Sequence, residues 1–172
     1  NLVLTIDTSI QKLAEEALGE RVGAAVVLKP SNGEILAMVS YPYFDANIFN
    51  TENASKEYSK LEKSSNNPLL NRAINATYPP ASTFKVIMST AMLAENAMPS
   101  SKEIECEGYL DYGGRTFKCH VGIPGHGYLD LKNGLAESCN VYYWTVGRDY
   151  FGVDLISSYS KDFGYGEDLK ID

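Results

Sequence analysis

Tyr78-Pro79-Pro80-Ala81-Ser82-Thr83-Phe84-Lys85 sets a hydroxyl and an amine three residues apart, at the start of an apolar run that extends to about Asn96. Phe84, Val86, Ile87, Met88, Ala91, Met92 and Leu93 wrap most of a helical circumference, and a helix apolar nearly all round belongs in a domain centre. On such a helix, positions i and i+3 share a face, so Lys85 can reach Ser82 Oγ. Burial disfavours the ammonium form, and a neutral amine can accept the serine proton. The helix N-terminus also offers unpaired N–H groups to a developing oxyanion. Four letters do not decide the matter, because an N-cap serine followed by a snorkelling lysine gives the same S-x-x-K pattern.

Outward from this stretch, the N-terminal side is well patterned. Residues 1–6 read as a short strand. Asp7 or Thr8 caps a helix whose stripe is Ile10, Leu13, Ala14, Ala17 and Leu18, ended by Gly19. Gly23 to Leu28, the turn Pro30-Ser31-Asn32-Gly33 and Glu34 to Ser40 form a hairpin. Residues 41–77 are rich in Asn, Ser, Pro and Tyr, with a short helix expected around Ser55 to Leu61. On the C-terminal side, residues 97–128 are turn-rich. Helices are expected over Leu131 to Ser138, Val141 to Tyr150 and Val153 to Phe163.

Bulk properties narrow the class. The 172 residues suffice for one domain or a substantial piece of one, and 44% hydrophobic with 22% charged residues is ordinary for a globular protein. A net charge of −7 argues against a nucleic-acid or anionic-lipid surface. No apolar run approaches the ~18 residues of a membrane span, and no signal peptide is visible. The opening at Asn1, without an initiator Met, reads as an excised piece whose anchor or export signal lies elsewhere.

Ser138-Cys139-Asn140 is a second candidate motif, although an isolated S-x-N is equally a turn or a cap. Cys106, Cys119, His126 and Cys139 follow a C-x12-C-x6-H-x12-C spacing that uses all three cysteines. A Cys3His set is a closed tetrahedral zinc arrangement. The spacing is not finger-like, and it leaves open a Cys106–Cys119 disulfide, free buried thiols, or His126 as a plain loop residue.

The octapeptide 78–85 closely resembles the Y-P-P-G-S-T-F-K signature of class B penicillin-binding proteins, with Ala81 in place of the usual glycine. Residues 23–45 resemble that domain's opening hairpin, and Leu70-Asn71-Arg72-Ala73 its approach to the serine. Gly125-His126-Gly127, Glu137 to Tyr143, and Phe163-Gly164-Tyr165-Gly166 resemble the elongation-specific branch, penicillin-binding protein 2. S-x-x-K, S-D-N-like and K-T-G motifs together mark this superfamily.

The resemblance implies an α+β penicillin-binding/β-lactamase-like fold. Residues 1–45 give a strand, a helix and a hairpin of the sheet subdomain, and 46–172 a mostly helical subdomain. It implies a peptidoglycan D,D-transpeptidase that cross-links stem peptides and is acylated by β-lactams. Ser82 is then nucleophile and Lys85 its base, Ser138 relays a proton to the leaving group, and Asn140 bonds the substrate amide or Lys85. The branch also implies structural zinc on Cys106, Cys119, His126 and Cys139, with His120 as substitute if Cys119 does not reach; none is required for the chemistry.

No K-T-G or K-S-G occurs in these residues. The expected partners are therefore a C-terminal half carrying that motif, stem peptides, β-lactams and membrane cell-wall elongation proteins, with no nucleic acid. These residues alone are expected to be soluble but inactive and poorly folded, unless a second chain completes them. The implied location is the bacterial inner membrane, with the catalytic domain on the periplasmic side. The competing functions are a β-lactamase-like or β-lactam sensor domain, or a non-catalytic zinc-stabilised module.

Overall fold

The computed structural model describes residues 3–168. They fall into two compact units that divide between Tyr78 and Pro79.

In the first unit, α1 (Thr8–Leu18) is capped by Asp7, whose carboxylate accepts from the N–H groups of Ser9 and Ile10. β1 (Gly23–Leu28) and β2 (Ile35–Tyr41) form the antiparallel hairpin, with Gly23 opposite Tyr41 and Val27 opposite Ala37. Ala37 and Val39, alternate positions of β2, are buried.

The expected strand over residues 1–6 is absent from its described part. Residues 3–6 are irregular, and residues 1 and 2 lie outside the described residues. Other groups occupy the edge of β2 instead. Thr5 Oγ1 donates to Ile35 O, and Asp7 N donates to Leu36 O. The Gln11 side-chain amide accepts from Met38 N and donates to Met38 O, reproducing a strand's pair of bonds. That edge is thereby closed without another strand.

The long connection contains a 3₁₀ turn (Ala46–Asn50) and α2 (Ala54–Glu62). Ser40 Oγ ties it to β2 by donating to Leu70 O and accepting from Arg72 N. The buried Arg72 guanidinium donates to the carbonyls of Asn66, Asn67 and Leu70, so both of its terminal nitrogens are bonded to backbone carbonyls.

In the second unit, a 3₁₀ turn (Ala81–Thr83) leads into α3 (Phe84–Ala94). α3 buries Lys85, Ile87, Met88, Ser89, Ala91 and Met92, but Val86 and Leu93 are 51% and 57% exposed. Burial therefore follows a broad stripe and not the whole circumference. Residues 97–128, expected as turns, hold three short strands. They are β3 (Ile104–Cys106), β4 (Tyr109–Tyr112) and β5 (Arg115–Lys118), with β6 (Gly127–Leu129) closing the segment. β3 pairs with β6 and β4 with β5, both antiparallel.

α4 (Leu131–Ala136) and α5 (Asn140–Val146) follow, then a π-helical turn (Gly147–Phe151) and α6 (Gly152–Asp162). Met88, Met92, Leu131, Tyr142 and Val146 are central to this unit's core. The class is α+β, with antiparallel hairpins set among helices. No helix of the described residues is long and apolar enough to cross a membrane.

Candidate active site

Ser82 occupies the middle of the 3₁₀ turn, where the two prolines have already fixed the approach. Pro80 holds φ −65°, and its carbonyl accepts from Thr83 N at 3.3 Å and from Thr83 Oγ1. Ala81 between them sits at φ 49°, a left-handed conformation that costs a residue with a Cβ about 1–2 kcal/mol. Glycine at this position escapes that cost but brings its own entropy to the unfolded chain. Ala81→Gly is accordingly expected to stabilise the fold by about 0.5–1 kcal/mol. Thermal unfolding of variant and parent checks this, and a clear loss of stability would contradict it.

The second motif is a corner between helices. α4 ends with Glu137, and Ser138 turns into the left-handed region at φ 50°. Ser138 N donates to Leu135 O and Cys139 N to Gly134 O, which satisfies carbonyls of the last turn. Cys139 then caps α5, its Sγ accepting from Tyr142 N at 3.4 Å. The corner turns Ser138 and Asn140 toward α3.

Lys85 is where the two motifs meet. Its Nζ lies 3.2 Å from Ser82 Oγ, 3.0 Å from Ser138 Oγ, 2.5 Å from Ser138 O and 2.7 Å from Asn140 Oδ1. Ser138 Oγ donates to Ser82 Oγ at 2.9 Å, closing a triangle of two hydroxyls and one amine. All four acceptors on Nζ are neutral. Burial holds the amine below the ordinary lysine range, while the charges of Cys119 and Cys139 pull it partly back. Lys85 is 8% exposed, whereas Ser82 is open to solvent. A reachable hydroxyl beside a sheltered, deprotonable amine is an arrangement capable of acyl transfer. An open cavity of about 850 Å³ begins at Ser82, Lys85 and Asn140 and continues along Phe84, Met88 and Trp144.

The metal-type residues converge as well. The ligand atoms of Cys106, Cys119, His126 and Cys139 all lie within 4.8 Å of one another. Cys106 Sγ is 3.5 Å and Cys119 Sγ 3.8 Å from His126 Nδ1. Tetrahedral zinc with its usual bond lengths requires sulfur–nitrogen separations of about 3.6 Å and sulfur–sulfur separations of about 3.8 Å. The donor set fits.

The thiols differ in how readily they would give up a proton to a metal. Burial raises the Cys119 thiol, but N–H groups of Asn140, Val141 and Val121 outweigh it and bring the pKa down to about 7. Burial pushes Cys139 up to about 12. All three cysteines are buried and free. Cys119 reaches the cluster, and His120 lies outside it, with its Nε2 donating to Glu137 O at 3.0 Å.

Antiparallel pairing of Cys106 with Gly127 brings His126 beside the first cysteine. Gly125, at φ 88°, makes that approach possible, since a Cβ there would stand 1.9 Å from Cys106 O. Gly125→Ala is expected to cost about 3 kcal/mol and to open the cluster. Chemical denaturation together with thiol accessibility to a maleimide checks this; unchanged protection of the cysteines would contradict it.

Two contacts carried no sequence signal. The Tyr143 ring centroid lies 5.8 Å from Lys85 Nζ, and its hydroxyl is 2.6 Å from Ser89 Oγ. Position 143 lies three residues beyond Asn140, and that spacing is the one clue that was available.

This chain belongs to the penicillin-binding protein transpeptidase domain family, whose model matches residues 23–172. Among curated relatives it is 37% identical over 165 residues to the peptidoglycan D,D-transpeptidase MrdA of Haemophilus influenzae, covering 95% of this chain and 25% of the relative. It therefore spans about a quarter of that protein's length. Among solved structures it resembles the imipenem acyl-enzyme complex of penicillin-binding protein A from Mycobacterium tuberculosis. The TM-score there is 0.86 at 31% identity, covering 95% of this chain and 40% of the other. It also resembles the complex between PBP2 and MreC from Helicobacter pylori, with TM-score 0.84 at 29% identity, covering 94% and 30%.

Proposed function

We propose that these residues form part of a peptidoglycan D,D-transpeptidase in which Ser82 is the nucleophile. The observation that carries this reading is the triangle of Ser82 Oγ, Lys85 Nζ and Ser138 Oγ, with sides of 3.2, 3.0 and 2.9 Å. Lys85 takes the Ser82 proton as Oγ attacks the penultimate D-alanyl carbonyl of a stem peptide. Ser138, touching both groups, passes a proton to the departing D-alanine nitrogen. Asn140 holds Lys85 through Oδ1 and presents its amide N–H₂ to the substrate. The acyl-enzyme is then attacked by the amine of a neighbouring stem peptide, which forms the cross-link and returns the proton to Ser82. A β-lactam enters by the same attack but leaves no departing group to make way for the acceptor.

Cys106, Cys119, His126 and Cys139 would hold zinc. Being closed by four protein ligands, such a site supplies folding energy and not a reaction step. Cys139 lies between Ser138 and Asn140 in the chain, so these thiols anchor the corner that carries both. The family's third motif comes, on this reading, from further polypeptide. The setting, on this reading, is the outer side of a bacterial inner membrane among cell-wall elongation proteins; the Helicobacter relative is found in a complex with MreC.

The test is release of D-alanine from a stem pentapeptide by the full-length protein, with cross-linked product appearing only when an acceptor amine is added. A long-lived penicilloyl enzyme is expected alongside it. Rapid hydrolysis of that adduct, with no cross-linking, would assign a β-lactamase instead.

A further inference from the structure

We infer that Tyr143 is a positioning residue for Lys85, holding the amine within reach of Ser82. The inference rests on Lys85 being the base. Four neutral acceptors surround Nζ, all of them supplied by Ser82 and the 138–140 corner. A lysine side chain carries four rotatable bonds, and fixing it requires shape as well as acceptors. The Tyr143 ring, its centroid 5.8 Å from Nζ, supplies a further wall of that space.

The ring is itself fixed. Ser89 Oγ donates to Lys85 O at 2.8 Å, which uses its only proton. The Tyr143 hydroxyl must therefore donate in the 2.6 Å contact with Ser89 Oγ. Lys85 and Ser89 are one turn apart on α3, and Asn140 and Tyr143 one turn apart on α5. Two rungs result, Lys85 to Asn140 and Ser89 to Tyr143, and they set the rotation of one helix against the other. Lys85, Ser89 and Tyr143 are 8%, 8% and 5% exposed, so water does not compete for the second rung. Burying a tyrosine hydroxyl is useful only if it is bonded, and here the bond ends on the helix that carries the base.

The experiment is rapid-mixing acylation of the full-length protein by a fluorescent penicillin, resolving the initial dissociation constant from the acylation rate constant. Tyr143→Leu removes the wall and is expected to lower the rate constant by about 30-fold, since a misplacement near 1 Å can cost a hundredfold. The dissociation constant should stay within about twofold, a split that a loss of mere helix packing would not produce. Tyr143→Phe keeps the ring and should recover the rate to within about threefold of the parent. Tyr143→Phe and Ser89→Ala cut the same rung, so the double variant should be no slower than the slower single one.

A Tyr143→Leu protein that acylates at the parent rate, or Phe and Leu variants that are equally slow, would overturn the inference. Should the leucine variant fail to fold, additive losses from Tyr143→Phe and Ser89→Ala would overturn it just as well. A parent protein that penicillin does not acylate, or a Ser82→Ala protein that it does, would instead bring down the reading of Lys85 as the base.

Discussion

Lys85→Met is expected to slow acylation of the full-length protein by benzylpenicillin about 10³-fold while leaving its fold intact. General-base catalysis by a positioned side chain contributes between about 10² and 10⁴, and here one amine serves several groups at once. As a neutral amine it accepts the proton of Ser82, 3.2 Å away, while its two N–H groups are shared among Ser138 Oγ, Ser138 O and Asn140 Oδ1. Methionine matches the length and apolar stem of lysine, so the surrounding packing is preserved and the loss is one of chemistry. Ser82→Ala should abolish the covalent adduct altogether.

The sign of the pH dependence follows from the burial of Lys85. Its pKa is lowered, so the neutral amine persists to lower pH than an exposed lysine allows. Acylation should fall away as acid protonates it. A Lys85→Met protein that acylates within tenfold of the parent would exclude Lys85 as the base.

The second large effect concerns the cysteines. Cys139→Ser is expected to remove bound zinc, to lower the unfolding midpoint by more than 10 °C, and to slow acylation by about 10–100-fold. Cys139 is fully buried, its Sγ caps α5, and its chain neighbours on either side both touch Lys85. A serine oxygen is too short and too weak a donor to replace a thiolate among three soft or borderline ligands. The corner would lose its anchor while keeping its sequence. Elemental analysis of protein purified without chelator, with calorimetry and acylation rates, measures all three effects. Absence of zinc from the parent protein, with three titratable thiols at full stability, would contradict this account of the cluster.

Much of this was legible in the chain where signals are local. The Asp7 cap, the helix α1 and the Pro30–Gly33 turn each depend on neighbours within a few residues and appear as expected, although no residue of the α1 stripe is buried and its Leu13 is 64% exposed. The S-x-x-K spacing is equally local, because a helix fixes the relation of i to i+3. What escaped depends on distant partners. Strands β3 to β6 are three or four residues long and separated by glycine-bearing turns, too short for periodicity to register.

Of the strand expected at residues 1–6, residues 3–6 are irregular, and the bonds at the edge of β2 go to Thr5, Asp7 and the Gln11 side chain, which no pattern of hydrophobicity encodes. The four metal-type residues have no finger-like spacing, yet the pairing of β3 with β6 brings two of them together and the α4–α5 corner a third. Ala81 could be seen as a departure from the family's glycine, but its left-handed backbone could not. Tyr143 entered only as part of the 137–143 resemblance, and its contact could not be read because its partner Ser89 lies 54 positions away.

The central claim is that Ser82 is the residue that becomes acylated. The direct measurement is peptide mapping by mass spectrometry of the full-length protein after brief exposure to benzylpenicillin. A single penicilloyl addition on Ser82, lost in Ser82→Ala and scarce in Lys85→Met, is the result predicted. Addition at any other residue, or none at saturating antibiotic, would contradict it.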